Sequence, residues 1–293
     1  MYELDLAYVG RGMHEELVAY IADQEDFYAA EGVHVSLRDG CAWDDERLRR
    51  CATIGLGRAL LSRLNDGVPW VALNVNTHSP LFWFLGHSDV ASAADLAGRR
   101  LAVHSPQTPP GCFARIVLRR AAGLDPDRDL DTIVRAPGDY GMDLRQLREG
   151  SIDAAFVGST MAPEAVAAEY GWRMPAWVGD HFRIPTVGVA VDPTYIDPDD
   201  PAVRAVIRAH RRALRVIQDD PDTTVWHMMS FLGRHTQDEV RAHYERFIAP
   251  HYTADGQADL AVGDAAIAAV AAELGVPASV TAAQFYRTET TED

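Results

Sequence analysis

The feature that most limits the fold is a regular alternation of short apolar runs with longer stretches at helical spacing, sustained over the first two-thirds of the chain. Runs of strand length fall at residues 4–9, 33–37, 70–75, 101–104, 133–134, 153–157 and 187–191. Between them, the stretch 15–30 puts Leu17, Val18, Ile21 and Ala22 on one face ahead of Gly32. A later stretch does the same with Phe113, Ile116, Val117 and Ala121 ahead of Gly123, a residue suited to ending a helix. Strands joined through helices are crossover connections, so the pattern predicts an α/β protein with a mainly parallel, helix-covered sheet. From residue 201 onward the period is helical, with Val203, Val206, Ile207, Leu214 and Ile217 in one stripe. That last third reads as packing helices with little chemistry.

A chain of 293 residues lies near the upper end for a single core. Two lobes are therefore expected, and the alternation breaks twice, at 86–89 and at 184–186. These breaks put the first lobe at 1–87 plus 187–293 and the second at 88–186. Trp83 and Phe84 read as core.

Charge narrows the function. There are 43 acidic against 27 basic residues and a formal net charge of -16, which disfavours nucleic acid and anionic membranes as partners. Every basic residue other than histidine is arginine. Without lysine there is no Schiff-base chemistry, no pyridoxal anchor and no phosphate-loop lysine. The three cysteines, Cys41, Cys51 and Cys112, match no zinc spacing, and their odd number does not suit a disulfide framework. No apolar run is long enough to span a bilayer, and the N-terminus lacks the pattern of a secretory signal. The expected location is cytoplasmic as the sequence stands, and periplasmic or extracellular if a signal once preceded it. His227, His235, His243 and His251 show no metal-ligand spacing, so no metal and no cofactor are expected.

Four segments resemble a known family. Residues 22–35, ADQEDFYAAEGVHV, resemble the signature A-x-x-x-G-F-F-x-x-E-G-L-x-V. Residues 95–103, DLAGRRLAV, resemble D-L-x-G-K-x-I-x-V, and residues 123–129, GLDPDRD, resemble G-L-x-P-x-x-D. Residues 147–155, LREGSIDAA, resemble L-x-x-G-x-I-D-A. In this order they resemble the nitrate/sulfonate/taurine and thiamine-precursor (NMT1/THI5-like) solute-binding family. The resemblance implies a two-lobed, type II periplasmic-binding-protein-like α/β fold with a ligand cleft between the lobes. It also implies a binding protein of the ABC-transporter substrate-binding type, partnered by a permease if exported. Two departures stand out: Asp26 replaces the signature glycine, and residues 41–71 carry 49–55, RRCATIG, where the family's segment is not recognisable. The family also contains cytosolic enzymes that use the cleft for chemistry, including desulfinases, decarboxylases and thiamine-pyrimidine synthases. The last of these need a lysine-bound cofactor, which a lysine-free chain cannot hold.

In open α/β sheets ligands bind beyond the carboxyl ends of the strands, which selects six loops. Arg11 and His14 lie in the first, beside glycines that permit close backbone approach. Thr77 and His78 follow the apolar run 70–75. The loop 104–112 offers His104, Gln107, Thr108 and backbone N–H groups around Gly111 to an anion at a helix start. Asp139 can accept from a ligand amine or cap a helix, Ser159 and Thr160 can donate or cap, and His181 and Arg183 can clamp an anion or lie at the surface. Two functions follow. The first is non-covalent binding of a small anionic or aromatic heterocyclic molecule. The alternative is lyase or hydrolase chemistry in the same cleft, with His14, His78, His104 or His181 as acid or base and Cys112 as nucleophile.

Overall fold

The computed structural model describes residues 1–135 and 142–288. Among the described residues, ten strands form two five-stranded sheets. In chain order they are β1 (Tyr2–Tyr8), β2 (Val33–Asp39), β3 (Ala52–Thr53), β4 (Val71–Thr77), β5 (Trp83–Gly86), β6 (Arg100–Val103), β7 (Asp131–Val134), β8 (Ala154–Val157), β9 (Arg173–Trp177) and β10 (Val187–Val191). The first sheet runs β2-β1-β3-β10-β4 and the second β7-β6-β8-β5-β9.

Neither sheet is wholly parallel, and the exceptions are informative. β1 pairs parallel with β2 and β3, and β6 pairs parallel with β7 and β8, as helical crossovers require. β5 is antiparallel to β8 and β9, and β10 is antiparallel to β3 and β4. Each is the first strand laid down after the chain changes sheets. The outward crossing therefore lies between Thr77 and Trp83, earlier than the break at 86–89, because 83–86 is already hydrogen bonded into the second sheet. The return lies between Trp177 and Val187.

Sequence chemistry explains most element ends. The helix Pro109–Ala122 has Thr108 as its N-cap, prolines in its first turn and Gly123 in a left-handed conformation at its end. Residues 15–30, expected as one helix, form Met13–Gln24 and Phe27–Ala30, separated at Asp26. Asp26 has φ 55°, the left-handed conformation glycine adopts most easily, which accounts for glycine in the signature at that place. The helix Pro201–Asp219 buries its apolar stripe beside the first helix and β1. The far edge of β4 is covered by the C-terminal segment: the Arg287 N–H donates to the Ala72 carbonyl at 2.7 Å and the Val75 N–H to the Gly256 carbonyl at 2.9 Å.

The tail does not rest on the first sheet alone. The helix Leu260–Leu274 packs against Pro109–Ala122, where Glu273 accepts from Arg115 at 2.6 Å and from Arg119 at 3.0 Å. Trp83 and Phe84 are fully buried.

Candidate functional site

A cavity of about 510 Å³ opens where the two sheets face each other. The loops after β1, β6 and β8 and the helix Leu56–Asp66 build its wall. Arg11, His14, His104, Gln107, Thr108, Ser159 and Thr160, expected at the site from sequence, all border it. Gly111, Cys112, Thr77, His78, His181 and Arg183 do not. Asp139 lies outside the described residues.

Two of the helices that begin at this cavity use their N-terminal amides differently. At Met13–Gln24, the Met13 N–H donates to the Ser159 carbonyl at 3.2 Å and the His14 N–H to Ser159 Oγ at 2.7 Å. A residue of the second sheet's β8 loop thus caps a helix that follows β1 of the first. Gly12 makes this possible: its φ is 106°, and a Cβ there would lie 2.8 Å from the Ser159 carbonyl carbon. Its own N–H donates to Glu16 Oε1 at 2.8 Å. At Pro109–Ala122, Pro109 and Pro110 carry no N–H, the Gly111 N–H reaches Thr108 Oγ1 at 3.4 Å and the Cys112 N–H donates to the Thr108 carbonyl at 2.9 Å. The expected anion grip around Gly111 is therefore absent. Glycine is needed there for packing, since a Cβ would sit 2.0 Å from the Ser105 carbonyl oxygen.

His14 is only 5 % exposed, and neither ring nitrogen has a hydrogen-bond partner among the described residues. Burial pushes its pKa down to about 3, so the ring is neutral. Phe82 stands edge-on to it with centroids 5.4 Å apart and stacks on Phe156 at 5.5 Å. His104 is likewise lowered to about 3, by burial and then by the Arg135 charge. Arg135 donates to His104 Nε2, which puts the proton on Nδ1, and Nδ1 has no partner among the described residues. Glu15 also borders the cavity and accepts from the Val9 N–H at 2.9 Å. Burial raises its carboxyl to about 7 against the hydrogen bonds from Val9 and Gly10.

The cavity's arginines are engaged. Arg11 bonds Asp39 at 2.7 Å, lies 3.7 Å from Glu16 and covers the Tyr8 ring. Arg58 bonds Asp45 at 2.8 Å and the Trp43 carbonyl at 2.6 Å.

A family model described as NMT1/THI5 like matches residues 15–224, most of the chain. The chain belongs to the NMT1/THI5-like family. No curated protein matches its sequence significantly. Among solved structures, a protein of Bordetella bronchiseptica RB50 superposes with a TM-score of 0.77 at 17% identity, covering 99% of this chain and 95% of that one. The periplasmic aliphatic sulphonate binding protein SsuA from Escherichia coli gives 0.73 at 13% identity, covering 94% and 92%. The desulfurization enzyme DSZB gives 0.70 at 16% identity, covering 97% and 96%. At these identities the likeness establishes the shared fold: two lobes, each an α/β layer, with the cleft between them.

Within that family fold, the remaining expected residues serve other purposes. Cys112 is fully buried beside the sheet, and burial, with Glu273 adding to it, pushes its thiol up to about 12, away from the thiolate form that a nucleophile needs. Thr77 and His78 stand at the crossing between lobes: Thr77 Oγ1 donates to the His251 carbonyl at 2.8 Å, and His78 Nε2 accepts from the Asp259 N–H at 2.8 Å. His181 and Arg183 are exposed beside the return crossing and form no clamp on the cavity. Conversely, the segment unlike the family's pattern supplies Gly57, Arg58, Leu61 and Ser62 to the wall. Gly57 lets the helix Leu56–Asp66 approach Pro109, whose Cβ would lie 2.9 Å from an added Cβ. Glu15 was also missed; its only signal was a carboxyl within one turn of Gly10-Arg11-Gly12.

Proposed function

We propose that this protein binds one small molecule in the cavity between its lobes, as a substrate-binding protein of the ABC-transporter type. The observation that carries the reading is His14: a buried ring whose two nitrogens have no partner among the described residues, on the wall of a cavity sized for a small ligand. Unpaired buried polar atoms are costly, and a ligand that bonds them repays the cost. The family and the sulphonate-binding neighbour support the same reading. If the chain is exported, its partner is a transporter permease. No helix among the described residues is long and apolar enough to cross a membrane.

Catalysis in the same cavity is the second reading, favoured by Glu15 beside neutral His14 on its wall and by the likeness to a desulfurization enzyme. Native mass spectrometry of the purified protein, followed by incubation with the released compound, separates the two. Binding predicts one small molecule released and recovered unchanged. Its conversion to a new mass would put the enzyme first.

A further inference from the structure

Resting on the binding reading, we infer that the cavity is built for an uncharged or basic ring compound and selects against anions such as sulfonates and carboxylates. The argument begins with the donors an anion needs. Of the helix N-termini at the cavity, that of Met13–Gln24 is filled by the Ser159 carbonyl and hydroxyl, that of Pro109–Ala122 by two prolines and the Thr108 cap, and that of Leu56–Asp66 gives its Leu56 and Gly57 amides to the Ile54 and Thr186 carbonyls. Ser159 thus occupies the place at the first helix where an anion would take the Met13 and His14 amides.

The charges point the same way. Arg11, Arg58 and Arg135 border the cavity, but so do Glu15, Asp45 and Asp66, while Asp39 and Glu16 hold Arg11 from outside. Three cations thus stand among five carboxyls. Arg58 is fixed by Asp45 and by the Gly40 and Trp43 carbonyls, and Arg135 donates to His104. With the Glu15 carboxyl raised to about 7, four other carboxylates still face three cations, and an entering anion would meet a surplus of negative charge.

What remains on the wall suits a flat ring. Phe82 is half-buried between His14 and His104, with Phe113 also on the wall. Aromatic faces take ring ligands edge-on or offset. The two neutral imidazoles exchange hydrogen bonds with uncharged N–H and ring-nitrogen groups, and Glu15 accepts from an amine or amidine.

Calorimetric titration with benzamidine, benzamide and benzenesulfonate tests this with one ring in three charge states. Benzenesulfonate should bind at least about tenfold more weakly than benzamide, and benzamidine at least as tightly as benzamide. Glu15→Gln should erase any lead of benzamidine; if that variant does not fold, the wild-type order alone decides. An order led by benzenesulfonate overturns the inference, and so does silence from all three compounds. Neither result touches the binding reading, which falls separately if native mass spectrometry of the purified protein shows no bound small molecule.

Discussion

Two of the helix starts at the cavity look alike in sequence and work differently in the structure. Thr108-Pro109-Pro110-Gly111 closes its own helix: the cap, the prolines and the first donors all lie within five residues. Gly10-Arg11-Gly12 leaves its helix open, and the cap arrives from Ser159, 145 residues away and on the other lobe. One start is a local device that holds a helix; the other is a contact between lobes that exists only when they are together. Position at a strand end therefore identifies the cavity but does not say what its amides are for.

Breaking the local device should have the largest effect. In Gly111→Ala the new Cβ would meet backbone that cannot move aside, so a loss of about 3 kcal/mol or more is expected in urea unfolding. Glu15, beside the interlobe contact, should come next, through pH. Its proton is bound in both folded and unfolded states below about 4.5 and lost from both above about 7. The burial cost thus appears as pH rises between those values. Relative to Glu15→Gln, the wild type should lose about 2 kcal/mol of stability between pH 4 and pH 8, followed by denaturation across that range. A flat difference would mean the carboxyl is well solvated.

Two smaller changes sharpen the contrast. Ser159→Ala leaves the His14 N–H without its acceptor and should cost about 1–2 kcal/mol. It should also enlarge the ligand-free protein in small-angle X-ray scattering, because the lost bond joins the lobes. Thr108→Ala removes a long 3.4 Å cap bond, should cost about 0.5–1 kcal/mol, and should leave the scattering radius unchanged. Equal scattering for both variants would remove the distinction between a local cap and a lobe contact.

The same distinction governs what was legible in sequence. Strands in parallel pairs and helices with local stop signals were readable, because Val33 and Gly123 carry their signals within a turn or two. Two strands of the second sheet escaped. β5 is four residues long and follows Pro80, so it reads as a continuation of a buried run. β9 contains Pro175, which a strand tolerates only at a sheet edge, and the edge is where it lies. For the site, loop position located Arg11, His14, His104, Gln107, Thr108, Ser159 and Thr160. It could not separate them from Thr77, His78, His181 and Arg183, which sit at strand ends that face the crossings instead. Nor did any local pattern mark Arg58 or Glu15, whose positions depend on how the lobes meet.

The central claim, that a ligand is held between the lobes at the His14 wall, is tested most directly by hydrogen exchange of ligand-stripped and ligand-reloaded protein. The released compound from the purified protein serves as ligand. Reloading should slow exchange at the amides of residues 12–16 and 157–161 and leave residues 181–184 unchanged. Protection centred on residues 181–184, with the Gly12 and Ser159 segments indifferent to ligand, would contradict it.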